Sequence, residues 1–188
     1  MDWRFIFSFV LAVLLIVCCA CGGRLYNVAP LPSNTTPLPP TNSSTGFNIS
    51  AKALDGDLSL ERFDANLPLA GVIAVDVQLA NQTSATVNSA SLKFELRDAN
   101  GKPLKPLTPK NALKRVMRFY GNSFYRIDAR QRTIESYEAT GLPLASAISS
   151  QEERRGVLFF ETGRGTIRLD GLTLSISGGT SPMSIKLN

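Results

Sequence analysis

The sequence predicts a mainly β domain: a single antiparallel sandwich of about seven short strands, with one amphipathic helix inserted in a long crossover. Three observations predict it. Apolar and polar residues alternate over several short stretches, the mark of half-buried antiparallel strands. Turn-forming residues separate those stretches. One segment in the middle of the chain changes from a period of two to helical spacing.

The N-terminal part comes first and reads differently. Asp2 and Arg4 are followed by an apolar run from Phe5 to Val17 broken only by Ser8. A weakly positive start, an apolar core and small residues after it form the order of a secretory signal peptide. The run is shorter than the about 20 residues a membrane span needs. All three cysteines of the chain, Cys18, Cys19 and Cys21, follow at once, and the chain has no histidine. Three clustered cysteines do not make a disulfide framework, which needs pairs spread along the fold. The expected organisation is a signal peptide over 1–20, a cysteine-led tether over 21–46, and a β domain over 47–188 with its helical insertion near 108–155.

The stretch Ala20-Cys21-Gly22 behind the apolar run resembles a bacterial lipobox, in which small residues precede an invariant cysteine that is acylated and becomes the mature N-terminus. Cys21 is the cysteine that fits, because Ala20 supplies the small residue before it. Cys18 would place Val17 there, and Cys19 would place Cys18. The resemblance implies a membrane partner, reached through lipid on Cys21. Each buried CH₂ contributes about 0.8 kcal/mol, so the several acyl chains of such lipoproteins anchor stably where one would not. Gly22, rather than an aspartate, implies the outer membrane if the source has one.

Residues 27–46 carry five prolines among Ser, Thr and Asn, and no charge. That composition reads as an extended tether.

In the domain, Gly71–Ala80 alternates Ile73, Val75, Val77 and Leu79 with Val72, Ala74, Asp76 and Gln78. Ser91–Asp98 alternates Leu92, Phe94 and Leu96 with Lys93, Glu95 and Arg97. Leu172–Ser177 alternates Leu172, Leu174 and Ile176 with Thr173 and Ser175. Weaker strand signals lie at Leu58–Phe63, Val157–Thr162, Thr166–Leu169 and Met183–Leu187. Asn100-Gly101, Gly163-Arg164-Gly165, Asp170-Gly171 and Gly178-Gly179 supply turns. About seven short strands suggest a sandwich of immunoglobulin type.

Between the strand groups, Leu113, Val116, Met117 and Tyr120 fall at helical spacing. Thr108 suits the N-cap, Pro109 the first turn and Gly121 the C-terminus. Leu144–Glu153 suggests a second short helical turn. The order of parts resembles a group of bacterial Ig-like lipoprotein domains, through Val75-Asp76-Val77-Gln78-Leu79-Ala80-Asn81, the strand and turn from Leu92 to Gly101, and Arg154-Arg155-Gly156-Val157-Leu158-Phe159-Phe160-Glu161. That resemblance implies a noncatalytic role in the cell envelope and carries no shared active site.

The chemistry of the chain agrees with such a role. Without histidine there is no Ser-His-Asp or Cys-His arrangement, and the common zinc and iron sites lack their ligands. No cofactor and no metal are expected. Asp55 with Asp57 and Glu152 with Glu153 are the carboxylate pairs a hydrolase could use. A glycosidase needs two carboxyls across a cleft, roughly 5 to 10 Å apart, which sequence neighbours rarely achieve. The remaining feature is charge. Residues 102–132 hold nine basic residues against Asp128 alone, interleaved with Phe119, Tyr120, Phe124 and Tyr125. A positive field of this kind attracts anionic partners such as lipid head groups, an acidic polymer or an acidic envelope protein. Lys110, Lys114, Arg115 and Arg118 are expected on the exposed side of the helix, with Leu113, Val116, Met117 and Tyr120 packed on the domain.

Overall fold

A computed structural model of the chain describes residues 26–31, 38, 41–44, 46–121, 127–162, 169–178 and 182–187. Among them run eight strands: β1 (Thr41–Ser44), β2 (Phe47–Ala53), β3 (Val72–Asn81), β4 (Lys93–Arg97), β5 (Lys105–Leu107), β6 (Glu153–Glu161), β7 (Thr173–Ser177) and β8 (Met183–Lys186). Three helices join them: α1 (Gly56–Phe63), α2 (Pro109–Tyr120) and α3 (Ile127–Thr140). The strands form two sheets, in the orders β1-β2-β3-β6-β5 and β4-β7-β8. Every neighbouring pair is antiparallel.

The sequence pattern explains where the core sits. Ile73, Val75, Val77 and Leu79 of β3 point between the sheets, beside Phe47, Ile49, Ala51 and Ala53 of β2 and opposite Leu96, Leu174, Ile176 and Ile185. The register sets Ile49 against Leu79, Leu96 against Leu174 and Leu174 against Ile185. The alternation expected over Gly71–Ala80 therefore holds on the inner face. The outer face of β3 is buried too, because the helices cover it. Val72 and Ala74 there join Val157 and Phe159 of β6 in a second core with Phe63, Leu67, Leu113, Val116 and Tyr137. The molecule thus has three layers: a three-stranded sheet, a five-stranded sheet and a helical cover.

Several expectations are corrected. Leu58–Phe63, expected as a strand, is α1. The Asp55 side chain accepts the Leu58 N–H at 2.8 Å, and Asp64, at φ 52°, closes the helix with its own N–H on the Leu60 carbonyl. An N-cap acceptor and a left-handed C-terminal residue outweigh a short alternation. Ser59 and Phe63, four residues apart, are its buried side chains. The crossover holds two helices, not one. α3 escaped the hydrophobic pattern because Thr133, Tyr137 and Thr140 form its buried stripe, with a single large ring among them. Leu144–Glu153, expected to include a helical turn, is extended at Ile148, which exchanges two backbone hydrogen bonds with Val87. β2 was not expected, since its inward positions include the small Ala51 and Ala53. Residues 166–168 of the expected strand Thr166–Leu169 lie outside the described residues.

The tether assigned to 21–46 is also shorter than expected. Thr41–Ser44 pairs with β2 as an edge strand. Tyr26 and Leu38 are buried, and the Ala29 N–H donates to the Arg62 carbonyl at 2.7 Å.

Candidate functional site

α2 forms as its caps dictate. The Thr108 side chain accepts the Asn111 N–H at 3.3 Å, Pro109 occupies the first turn, and Gly121 ends the helix at φ 66°. Ala112, Leu113 and Val116 are buried against the five-stranded sheet. Truncating a side chain such as Leu113 to alanine costs roughly 2–5 kcal/mol. Opposite this stripe, Lys110, Lys114 and Arg118 are exposed at spacings of four residues. They form no ion pair among the described residues. Like charges at that spacing disfavour a helix by about 0.2–0.5 kcal/mol per pair, a small cost that packing of the apolar side overrides.

Arg115 departs from the expected exposed set. It turns toward the sheet, where a guanidinium nitrogen lies 2.7 Å from Glu161 Oε1 and another donates to the Thr162 carbonyl at 3.3 Å. Lys105 Nζ approaches the other Glu161 oxygen at 3.9 Å. Arg115 therefore fastens α2 to the end of β6, and the solvent-facing cations of the helix are Lys110, Lys114 and Arg118.

Tyr120 departs as well. Its ring is 38% exposed, and its hydroxyl, 3.1 Å from the Asn66 N–H it accepts, lies 3.3 Å from the Asn66 carbonyl it donates to. Asn66 Oδ1 accepts the Leu69 N–H at 3.2 Å, which fixes the turn carrying Leu69 beside the helix end. Leu69 and Phe119 are each 53% exposed. Phe119 stands edge-on to Tyr120 at 5.0 Å between ring centroids, and Tyr26 lies behind Tyr120 at 6.4 Å. Exposed apolar side chains with cations beside them are thus brought to one end of the domain from three separate stretches of sequence, Leu69 through Asn66 and the rings through one another. Leu69 and Tyr26 carried no signal for it, because Leu67-Pro68-Leu69 and Leu25-Tyr26 are short apolar groups without strand or helix periodicity.

A second polar cluster lies under the helices. Asp76 of β3 is buried, with Oδ2 2.7 Å from an Arg62 nitrogen and 2.9 Å from an Arg155 nitrogen, and Oδ1 3.1 Å from Arg155 Nε. A buried carboxylate is tolerated only when paired and hydrogen-bonded in this way. The phenol of Tyr137, packed on Phe63 and Phe159, is fully buried, and burial drives its pKa far above the usual range, so it stays protonated.

The expected carboxylate pairs do not converge. Asp55 caps α1. Glu152 accepts from Arg154 Nε and the Ser149 N–H, each at 2.7 Å, and the arginine first and the amide second lower its pKa from 4.5 to about 2. Glu153 accepts from Gln78 Nε2 at 3.2 Å. A groove of about 830 Å³ runs beside Gly141–Ala145 and β6, lined mainly by apolar residues such as Phe94, Pro106, Leu142 and Leu158. Glu138 is the one carboxylate lining it among the described residues. No group of three His, Cys, Asp or Glu side chains that could hold a metal occurs among the described residues. No described helix is long and apolar enough to cross a membrane. Cys21, the expected lipidation site, lies outside the described residues, as does Arg126 of the basic segment.

No protein-family model matches the chain, and no curated protein matches it. Among solved structures it is similar to the yjhA protein from Bacillus subtilis, at 13% identity and a TM-score of 0.42, over 80% of this chain and 98% of that one. It is also similar to a conserved hypothetical protein from Bacillus anthracis, at 12% identity and a TM-score of 0.39, over 80% of this chain and 94% of that one. Likenesses at these TM-scores do not bear on function.

Proposed function

We propose that this chain is a noncatalytic lipoprotein of the bacterial cell envelope, anchored through acylated Cys21, whose domain binds other envelope components or serves structurally. The observation that carries this reading is the apolar run from Phe5 to Val17 ending in Ala20-Cys21-Gly22. The outer membrane is its site if the source has one. Cys21→Ser should abolish acylation and either release the protein from membranes or stall its processing. A membrane-bound, normally processed Cys21→Ser protein would sink the proposal.

The domain is read as an immunoglobulin-type sandwich. Lettering β2 to β8 as A to G in chain order gives sheets A-B-E-D and C-F-G, with β1 added outside A. That order is the one described for constant-type immunoglobulin domains and supports the reading. The helices then occupy the A–B and D–E connections. Dispersal of the carboxylates into a cap, an ion pair and a side-chain hydrogen bond supports a noncatalytic role over a carboxylate-dependent hydrolase.

A second reading, binding of an anionic surface or polyanion through the 102–132 segment, is favoured by the stripe Lys110, Lys114 and Arg118, which has no ion-pair partner among the described residues. Reversing these three charges should weaken binding to anionic vesicles, and added salt should weaken binding of the unaltered protein, because exposed charges are screened over about 10 Å at 0.1 M. Equal binding by both proteins would leave the stripe as a solvated helix face.

A further inference from the structure

We infer that the face formed by Leu69, Phe119 and Tyr120 lies on the phospholipid surface that holds the Cys21 anchor, so that the domain is seated on the membrane in one orientation and not suspended above it. The inference rests on the proposed acylation of Cys21 and adds the surface, the pose and the residues that make it.

Covalent reach supplies the first argument. Tyr26 is buried and packs behind Tyr120, and Ala29 is hydrogen-bonded to the C-terminal turn of α1. The chain therefore joins the fold at this face. Five residue steps separate Cys21 from Tyr26. A fully extended chain covers at most about 3.6 Å per step, so the acylated cysteine is within roughly 18 Å of Tyr26. An anchor that short holds this end of the domain at the head groups. The far end is carried away by β3, whose ten residues span about 33 Å between the turn of Leu69 and the loop containing Ser84.

The chemistry of the face supplies the second. Leu69 and Phe119 are the most exposed large apolar side chains among the described residues, at 53% each. Tyr120 beside them has an apolar ring whose hydroxyl is held by Asn66, so this ring is fixed in place before it meets any partner. Aromatic residues suit the head-group level, where one part of the ring is apolar and the rest is wet. Arg118 adjoins Phe119, and Lys114 stands one turn behind it, both without an ion pair among the described residues. Cations flanking an apolar cluster match an anionic phospholipid leaflet. Lys110 lies about 12 Å from Arg118 along the helix, at 1.5 Å per residue, and contributes least. Several acyl chains already retain the protein, so this face sets orientation, and retention assays would miss it.

The test is therefore one of depth. On the proposed processing, Cys18 and Cys19 leave with the signal and Cys21 is blocked by lipid, so an introduced cysteine is the sole free thiol. The acylated full-length protein carrying Leu69→Cys, Phe119→Cys or Ser84→Cys is labelled with an environment-sensitive fluorophore. Each is reconstituted in vesicles of phosphatidylethanolamine and phosphatidylglycerol containing lipids spin-labelled near the head group. Quenching severalfold stronger at 69 and 119 than at 84 is expected. With the label at 69, adding Phe119→Asp should reduce quenching severalfold while far-ultraviolet circular dichroism stays unchanged. Equal quenching at all three positions, or stronger quenching at 84, in protein whose mass includes the acyl chains overturns this inference alone. A mass without acyl chains overturns the anchor and the inference together.

Discussion

Replacing Asp76 by alanine removes the acceptor on which two guanidinium groups converge. Arg155 approaches with two nitrogens, at 3.1 Å and 2.9 Å, and Arg62 with one, at 2.7 Å. The side chains are nearly sealed from water: 1% exposed for Asp76, 5% for Arg155 and 13% for Arg62. Hydrogen bonds to charged groups contribute about 1.5–3 kcal/mol each, but three on one carboxylate are not additive. The larger consequence is that buried positive charge loses its counter-charge, for which breaking a buried pair costs about 3–5 kcal/mol. That is a large share of the 5–15 kcal/mol that typically holds a domain. With a urea m-value of about 2 kcal/mol/M, the midpoint should fall by roughly 2 M. Arg62→Met should cost less, because Asp76 keeps both contacts from Arg155 and Arg62 is the more exposed partner. Urea denaturation of the detergent-solubilised protein, followed by circular dichroism, compares the three proteins. A loss below about 1 kcal/mol for Asp76→Ala, or a larger loss for Arg62→Met, would refute the view that Asp76 is the hub of the cluster.

Other perturbations separate neighbouring residues. Lys114→Glu should shift stability by no more than about 0.5 kcal/mol, as exposed substitutions usually do, whereas Arg115→Glu opposes Glu161 and should cost more than 1 kcal/mol in the same urea assay. Gly156→Ala should destabilise by at least about 2 kcal/mol, because a Cβ there would lie 2.3 Å from Leu142 Cα and the crossing backbone has no side chain to turn aside. A thermal midpoint unchanged by that substitution would contradict the crossing. Glu152 has a folded pKa of about 2 against 4.5 unfolded, so its pairing with Arg154 stabilises the protein above pH 4.5, and that contribution is lost as pH falls toward 2. Glu152→Gln should flatten the fall in stability across that window, which urea midpoints at a series of pH values would measure.

The strands that could be read from the sequence are those with large apolar residues on alternate positions, such as β3, β4 and β7. Their period of two is imposed by burial of one face. Val72 and Ala74 on the other face are apolar too, a local sign that this half of β3 is buried on both sides, but nothing in β3 says that helices supply the cover. α2 was legible through Thr108, Pro109 and Gly121, which act within one turn. α1 was missed although Asp55 caps it as locally as Thr108 caps α2, because Leu58 and Leu60 alternate as a strand would. The basic stripe was legible as Lys110, Lys114 and Arg118. Arg115 was not separated from it, since helical spacing does not foretell a carboxylate arriving from β6. The apolar face failed to appear for the same reason. Leu69, Phe119 and Tyr26 lie far apart in sequence, and contacts such as the Asn66–Tyr120 hydrogen bonds and the docking of Tyr26 bring them to one end of the domain.

Cys21 should be the acylated N-terminus of the mature protein. Intact and peptide mass spectrometry of the protein extracted from its own membranes reads that terminus. A mature chain that begins at Cys21 and carries a diacylglycerol on the thiol is expected. A mature chain that begins at Cys18 or Cys19, or one whose Cys21 has no lipid, would contradict it.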